Sequence, residues 1–164
     1  MWGTGSRSWN IVTRAEKDAV LEGVREIAAD VDCHPRVLDL LISAVDEMII
    51  NALKVSKEEQ NIAIECGSDG RLLAVSVLDE CGSFLHEDLF QGIGMALQHD
   101  EKGLPPEHTH AHLGFRIMLE ALSQVAINVD PGVCTEVIGI VDLRRSLREH
   151  RKAIPNLGMF RKTD

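Results

Sequence analysis

Residues 61–79, NIAIECGSDGRLLAVSVLD, decide the fold. Ile62, Ile64 and Cys66 alternate with Ala63 and Glu65, and Leu73, Val75, Val77 and Asp79 alternate with Ala74, Ser76 and Leu78. A period of two puts each set on one side of a strand. Ser68-Asp69-Gly70-Arg71 between them is a turn signal. The stretch reads as a β-hairpin with one side facing a core. Asp79 ends its strand on that core side, where an apolar residue is the norm.

Working outward, Pro35 to Val55 reads as a helix with a wide apolar face, including Leu38, Leu41, Ile42, Val45, Met48, Ile49 and Ala52. Ahead of it, Ala15 to Val31 carries Val20, Val24, Ile27 and Val31 at helical spacing. Thr13 and Glu16 are placed as its capping box. Trp9 to Thr13 reads as a short first strand, and residues 1–8 as a disordered N-terminus. On the other side, residues 80–112 read as irregular and lid-like, with a short helix near Leu89 to His99. Leu113 to Gln124 reads as a third main helix. A second hairpin, Val125–Val129 with Val133–Leu143, turns at Asp130-Pro131-Gly132. This order predicts one α/β (α+β) domain over residues 9–143. Its architecture is a two-layer sandwich, a mixed, mostly antiparallel sheet with helices on one face. Residues 144–164 read as a basic C-terminal tail that begins as a helix.

The 164 residues suffice for one core, and aromatic residues make up only 4%, so that core is aliphatic. The formal charge of −9 argues against nucleic-acid binding through the whole surface. The charge is segregated: residues 143–164 hold seven basic and two acidic groups, and the body is strongly acidic. Such a tail is either a solvated end or a docking segment for an acidic partner. Cys33, Cys66, Cys81 and Cys134 form no C-x-x-C pair and lie in or beside apolar segments, as small hydrophobes do. No stretch reaches the length of a membrane span, and residues 1–8 lack the apolar run of a signal peptide. Free thiols in a reducing cytoplasm are the expectation.

Four short pieces carry chemistry. Glu47 and Asn51 are four apart on the apolar helix and share a face; alone they are no more than its wet edge. Asp79, followed by Glu80-Cys81-Gly82-Ser83, is an acid at a strand end, placed to accept a ligand's amino group or to serve an ordinary turn. Gly114 in His112-Leu113-Gly114-Phe115-Arg116-Ile117 opens a helix, where backbone amides attract phosphate. Thr135 lies early in a strand, an unremarkable place for a threonine.

In this order the pieces resemble the ATP-binding boxes of the GHKL superfamily of gyrase-type topoisomerases, chaperones, histidine kinases and mismatch-repair ATPases. Glu47 and Asn51 match its E-x-x-x-N box, Asp79 its D-x-G-x-G box, Gly114 the second glycine of G-x-G, and Thr135 the threonine of a later strand. Within the superfamily the chain is most similar to stand-alone anti-sigma-factor serine kinases, through Ala44-Val45-Asp46-Glu47 running into Asn51-Ala52 and the late Leu-Gly-Phe-Arg-Ile run. The resemblance implies a Bergerat-type ATP-binding fold and an ATP-dependent serine/threonine protein kinase that regulates transcription by switching partners. It implies that Asn51 binds Mg²⁺ bridging the phosphates of ATP and that Asp79 takes the adenine amino group. Gly82 and Gly114 would let backbone approach the nucleotide, Thr135 would join the binding site, and Glu47 would act as the base toward a partner's serine. The implied partners are a sigma factor and its antagonist, with no nucleic acid and no membrane; family members commonly dimerise, which allows a homodimer.

The glycine boxes depart from the pattern. Cys81 and Ser83 stand where the D-x-G-x-G glycines belong, with Gly82 between them; His112 replaces the first glycine of G-x-G, and Val55 the basic residue four after Asn51. A left-handed Cys81 or Ser83 would cost on the order of 1–2 kcal/mol each. These losses motivate the alternative: a GHKL-fold module that has lost nucleotide and works by protein binding alone. A detached histidine-kinase catalytic domain ranks third, for want of a phosphoacceptor helix pair. Last comes a metal-dependent hydrolase on His108-Thr109-His110-Ala111-His112, with His86, His99 and Glu107 as further ligands; a polar loop accounts for that stretch as well.

Overall fold

The computed structural model describes residues 5–57, 60–85, 87, 89–90, 93–94, 116–150 and 156–163. At its centre is the expected hairpin, β2 (Ile62–Ser68) and β3 (Leu72–Asp79), with Ile64 opposite Val77 and Cys66 opposite Val75. The Asp69 carboxylate accepts the N–H groups of Arg71 and Leu72, both at 2.8 Å, and Gly70 takes a φ of +82°. These bonds shape the turn and hold the Asp69 carboxyl below its ordinary range.

β4 (Gln124–Asp130) and β5 (Cys134–Asp142) form the second hairpin, and β5 docks antiparallel on β3. β1 (Arg7–Ile11) pairs antiparallel with β2, and β6 (Asn156–Arg161) pairs parallel with β4. The sheet is therefore six-stranded, in the order β1-β2-β3-β5-β4-β6, mixed and mostly antiparallel. On its core side lie Ile62, Ile64, Cys66, Leu73, Val75, Val77, Val125, Ile127, Val129 and Val141, all buried.

α1 (Lys17–Asp30) and α2 (Pro35–Val55) cover that side and make it a two-layer α/β sandwich. Leu41, Val45 and Ile49 of α2 are wholly buried, as the wide apolar face demands. His34 caps α2, its Nδ1 accepting the Arg36 N–H at 3.2 Å. Lys17 pairs with Asp46 and ties the start of α1 to the middle of α2. Residues 116–121 are also helical. The expected helix over Leu89–His99 and the lid fall largely outside the described residues.

Several boundaries differ from the sequence reading; Gln124, read as the end of a helix, opens β4. The first strand runs over Arg7–Ile11, because the Glu16 carboxylate takes the N–H groups of Val12 and Thr13, both at 2.9 Å, and commits them to the cap of a 3-10 turn, Arg14–Glu16. Arg7 and Ser8 thus belong to the sheet, and Arg7 pairs with Glu26. The basic tail begins as a short helix, Leu147–His150, and then supplies β6, so the sheet extends beyond residue 143. Leu157 and Met159 pack against the core opposite Val125 and Ile127, and this alternation puts a strand inside a basic segment. Of the cysteines, all free, Cys66 is buried and its thiol is pushed up to about 12; the other three are partly exposed.

Gly23 in α1 faces the Trp9 ring so closely that an added Cβ would strike it. Alanine would gain up to about 1 kcal/mol in helix propensity, whereas overpacking costs about 1–3 kcal/mol. Gly23→Ala is expected to lower the thermal midpoint; a rise would mean the Trp9 ring moves aside without penalty.

Candidate functional site

A cavity of about 360 Å³ opens between α2 and the core side of the sheet. Its walls are largely apolar, among them Met48, Val77, Ile127 and Phe84, and its polar groups are few: Asn51 and Lys54 from α2, Asp79 from β3, Ser83 from the following loop, and Thr135 from β5. A concave apolar site with a small set of convergent polar groups is the usual form of a small-molecule pocket.

Asp79 and Thr135 are direct cross-strand partners. Asp79 is 6% exposed and Thr135 3%. Burial pushes the Asp79 carboxyl above its ordinary range, against the opposing pull of the Cys81, Gly82 and Thr135 backbone amides. The best defined of these bonds is Cys81 N–H to Asp79 Oδ1 at 2.9 Å. The Thr135 hydroxyl, buried on the cavity wall, has no hydrogen-bond partner among the described residues. A buried orphan hydroxyl costs about 1–3 kcal/mol, a cost that a ligand with a complementary polar edge would remove.

Gly82 does not line the cavity. It is buried with a φ of +58°, and its carbonyl accepts the Gly132 N–H at 3.2 Å. An added Cβ would meet the Asp130 carbonyl oxygen and lie 2.7 Å from the Gly132 and Val133 nitrogens. Gly82 thus locks the loop after Asp79 onto the β4–β5 turn. Neither Cys81 nor Ser83 has a positive φ; among the described residues the one non-glycine that does is Asp32. The left-handed strain anticipated for the replaced glycines is therefore absent, because Gly82 makes the tight step.

Asn51, Asp79 and Thr135 are brought together as the sequence suggested. Glu47 is half-buried one helical turn before Asn51 and lies outside the cavity lining. Gly114 and the histidines 86, 99, 108, 110 and 112, with Glu107, lie outside the described residues. Among the described residues no group of three or more His, Cys, Asp or Glu side chains could hold a metal, and no helix is long and apolar enough to cross a membrane. Lys54 is the lining residue that sequence reasoning missed. Its signal was its place three residues after Asn51, hence on the same helix face. No protein-family model matches the chain, and no curated protein matches it.

A carboxyl that binds its proton more readily in the folded than in the unfolded chain makes stability fall as pH rises through its raised folded-state pKa. Asp79→Asn removes this liability and keeps an acceptor for the Cys81 N–H. The variant is expected to melt at or above the wild-type midpoint at pH 7, the gap closing as the pH falls below the ordinary carboxylate range. A midpoint several degrees lower at pH 7 would show that the amide bonds to the carboxylate outweigh its desolvation. Gly82→Ala is expected to cost several degrees at every pH; tolerance of it would mean that the β4–β5 turn yields.

Proposed function

We propose that the cavity binds ATP and that the chain is an ATP-dependent serine/threonine protein kinase of the anti-sigma-factor type, acting by partner switching. The observation that carries this is the juxtaposition, deep in an apolar cavity, of a buried carboxylate and an unpartnered hydroxyl on adjacent strands. A flat heteroaromatic ring with an exocyclic amine fits that pair: the amine donates to Asp79, and the Thr135 hydroxyl bonds a neighbouring ring nitrogen. Val77, Ile127 and Phe84 supply apolar walls for the ring.

In this reading the phosphates would lie toward α2. Asn51, on the cavity wall, would supply its amide oxygen to Mg²⁺ held mainly by phosphate oxygens, since Mg²⁺ takes few protein ligands in such sites. Lys54 puts a cation on the same helix face. Glu47, one helical turn before Asn51 and outside the cavity lining, would be the carboxylate that orients an acceptor serine's hydroxyl and takes its proton. A sigma factor and a serine-bearing antagonist are the implied partners. One rival is a module of this fold that binds proteins without nucleotide; what favours it is Ser83, which lines the cavity where the family pattern has a glycine.

Calorimetric titration with ATP and Mg²⁺ tests the reading. Saturable binding is expected, with Asp79→Asn about ten- to a hundredfold weaker, the loss of a hydrogen bond to a charged group. Glu47→Ala is expected to bind ATP within about twofold of wild type while losing phosphotransfer. No binding at millimolar ATP would leave the protein-binding module, and an unchanged Asp79→Asn would remove the adenine assignment.

A further inference from the structure

We propose that β6 is a strap that positions the cavity wall, acting through Arg161 on Phe84. The tether stands on geometry alone; its effect on ligand rests on the nucleotide reading above.

Arg161 ends β6 opposite Val129, which stands opposite Thr135, which stands opposite Asp79. These four residues form one row across the core side of the sheet. With neighbouring strands about 4.8 Å apart, Arg161 sits roughly 14 Å from Asp79 at the far end of that row. The loop that follows Asp79 brings Phe84 within its reach: Arg161 Nη1 donates to the Phe84 carbonyl oxygen at 3.3 Å. Phe84 is itself part of the cavity wall.

The loop that carries Phe84 is held at three places. At its start, Gln60 Nε2 donates to the Glu80 carbonyl at 3.2 Å, and the Cys81 thiol donates to the Val55 carbonyl at 3.2 Å. In its middle, Gly82 is locked to the β4–β5 turn. Arg161 holds its end. The first two anchors belong to elements next to the cavity, whereas the third comes from the C-terminal segment, 77 positions away in sequence. Lys162, the next residue, turns elsewhere: its Nζ pairs with Asp130 at 2.8 Å, and its N–H bonds the Val129 carbonyl at 2.9 Å. Position 161 is thus the point at which β6 reaches the cavity wall, and Lys162, whose bonds go to Asp130 and Val129, is a neighbouring control. A single bond to a neutral carbonyl is modest, so the strap tunes the wall rather than creating it. Arg161 is a positioning residue, and its influence falls on whatever part of a ligand lies against Phe84.

The test uses the full chain and three variants, Arg161→Ala, Arg161→Lys and Lys162→Ala, with two readouts. Amide hydrogen exchange on the ligand-free protein reads the tether. Arg161→Ala is expected to speed exchange of the 80–85 segment several-fold and to leave residues 156–160 unchanged; Lys162→Ala is expected not to touch 80–85, and Arg161→Lys to restore most of the protection. Titration with ATP and with adenosine reads the coupling. Arg161→Ala is expected to weaken both ligands by a similar factor, about three- to tenfold, because Phe84 is on the ring side of the site. Unchanged exchange at 80–85, or equal effects of Arg161→Ala and Lys162→Ala, overturns the strap. Faster exchange with unaltered affinity overturns its coupling to ligand. Faster exchange in a protein whose wild type binds neither ligand upholds the strap and sinks the nucleotide reading instead.

Discussion

Pairing of β3 with β5 is the constraint on which the remainder of the structure depends. Each belongs to a hairpin, and an isolated hairpin is marginal in water. Their antiparallel ladder, running from Leu72 opposite Asp142 to Asp79 opposite Thr135, joins the two hairpins into one sheet. It also aligns Leu73 with Val141 and Val77 with Val137, giving α1 and α2 a continuous apolar surface to cover. A slip of one residue would turn Leu73, Val75 and Val77 to the outer side and bring Ala74, Ser76 and Leu78 inward. The same slip would carry Asp79 out of the cavity and away from Thr135. Fold and site therefore share one register, and the apolar demand of the core keeps the polar pair in place.

That pair is a liability. Burying a carboxylate and an unpartnered hydroxyl side by side opposes folding, and a core of aliphatic residues would prefer neither. The surrounding structure absorbs the cost through rigidity. Gly82 accepts a conformation closed to other residues and wedges the loop against the β4–β5 turn, which fixes the Cys81 amide where it bonds Asp79. This locally destabilising arrangement, held in place by its neighbours, is the observation on which the proposed site rests. The outer side of the sheet offers a contrast. There Glu136 is satisfied on both oxygens, by Ser76 at 2.7 Å and Asn128 at 2.9 Å, so its partly buried charge asks nothing of a ligand.

The sequence made both hairpins and α2 legible because in them local signals agree with tertiary demand. The alternation of Ile62, Ile64 and Cys66, the Asp69-Gly70 turn and the helical spacing from Leu38 to Ala52 all point one way. The placing of Asn51, Asp79 and Thr135 was legible for the same reason, since each is fixed by the period of its element. What was hidden depended on geometry that no period encodes. Gly82 looked like half of a damaged glycine box, whereas its role is set by how close the Gly132 and Val133 backbone comes. Lys54 carries no motif signal of its own, although the helix turns position 54 toward the cavity. β6 was hidden by composition: a strongly basic segment reads as solvated, and the short Leu157-Gly158-Met159 alternation is too brief to overrule that impression.

The basic tail illustrates how charge and structure divide the work. Asp142 is held down to about 2 by the Arg144 guanidinium, with Arg145 nearby, and Lys162 reaches Asp130, so part of the positive charge answers acids of the body itself. These pairs are largely exposed, and exposed pairs contribute little and are screened by salt. They do not hold β6 in place. Its ladder with β4 and the packing of Leu157 and Met159 against the core do that, and both are insensitive to ionic strength. Strand pairing and apolar burial keep the segment in place, and Arg161, bonded to a neutral carbonyl and not to an acid, is the basic side chain that connects β6 to the cavity wall.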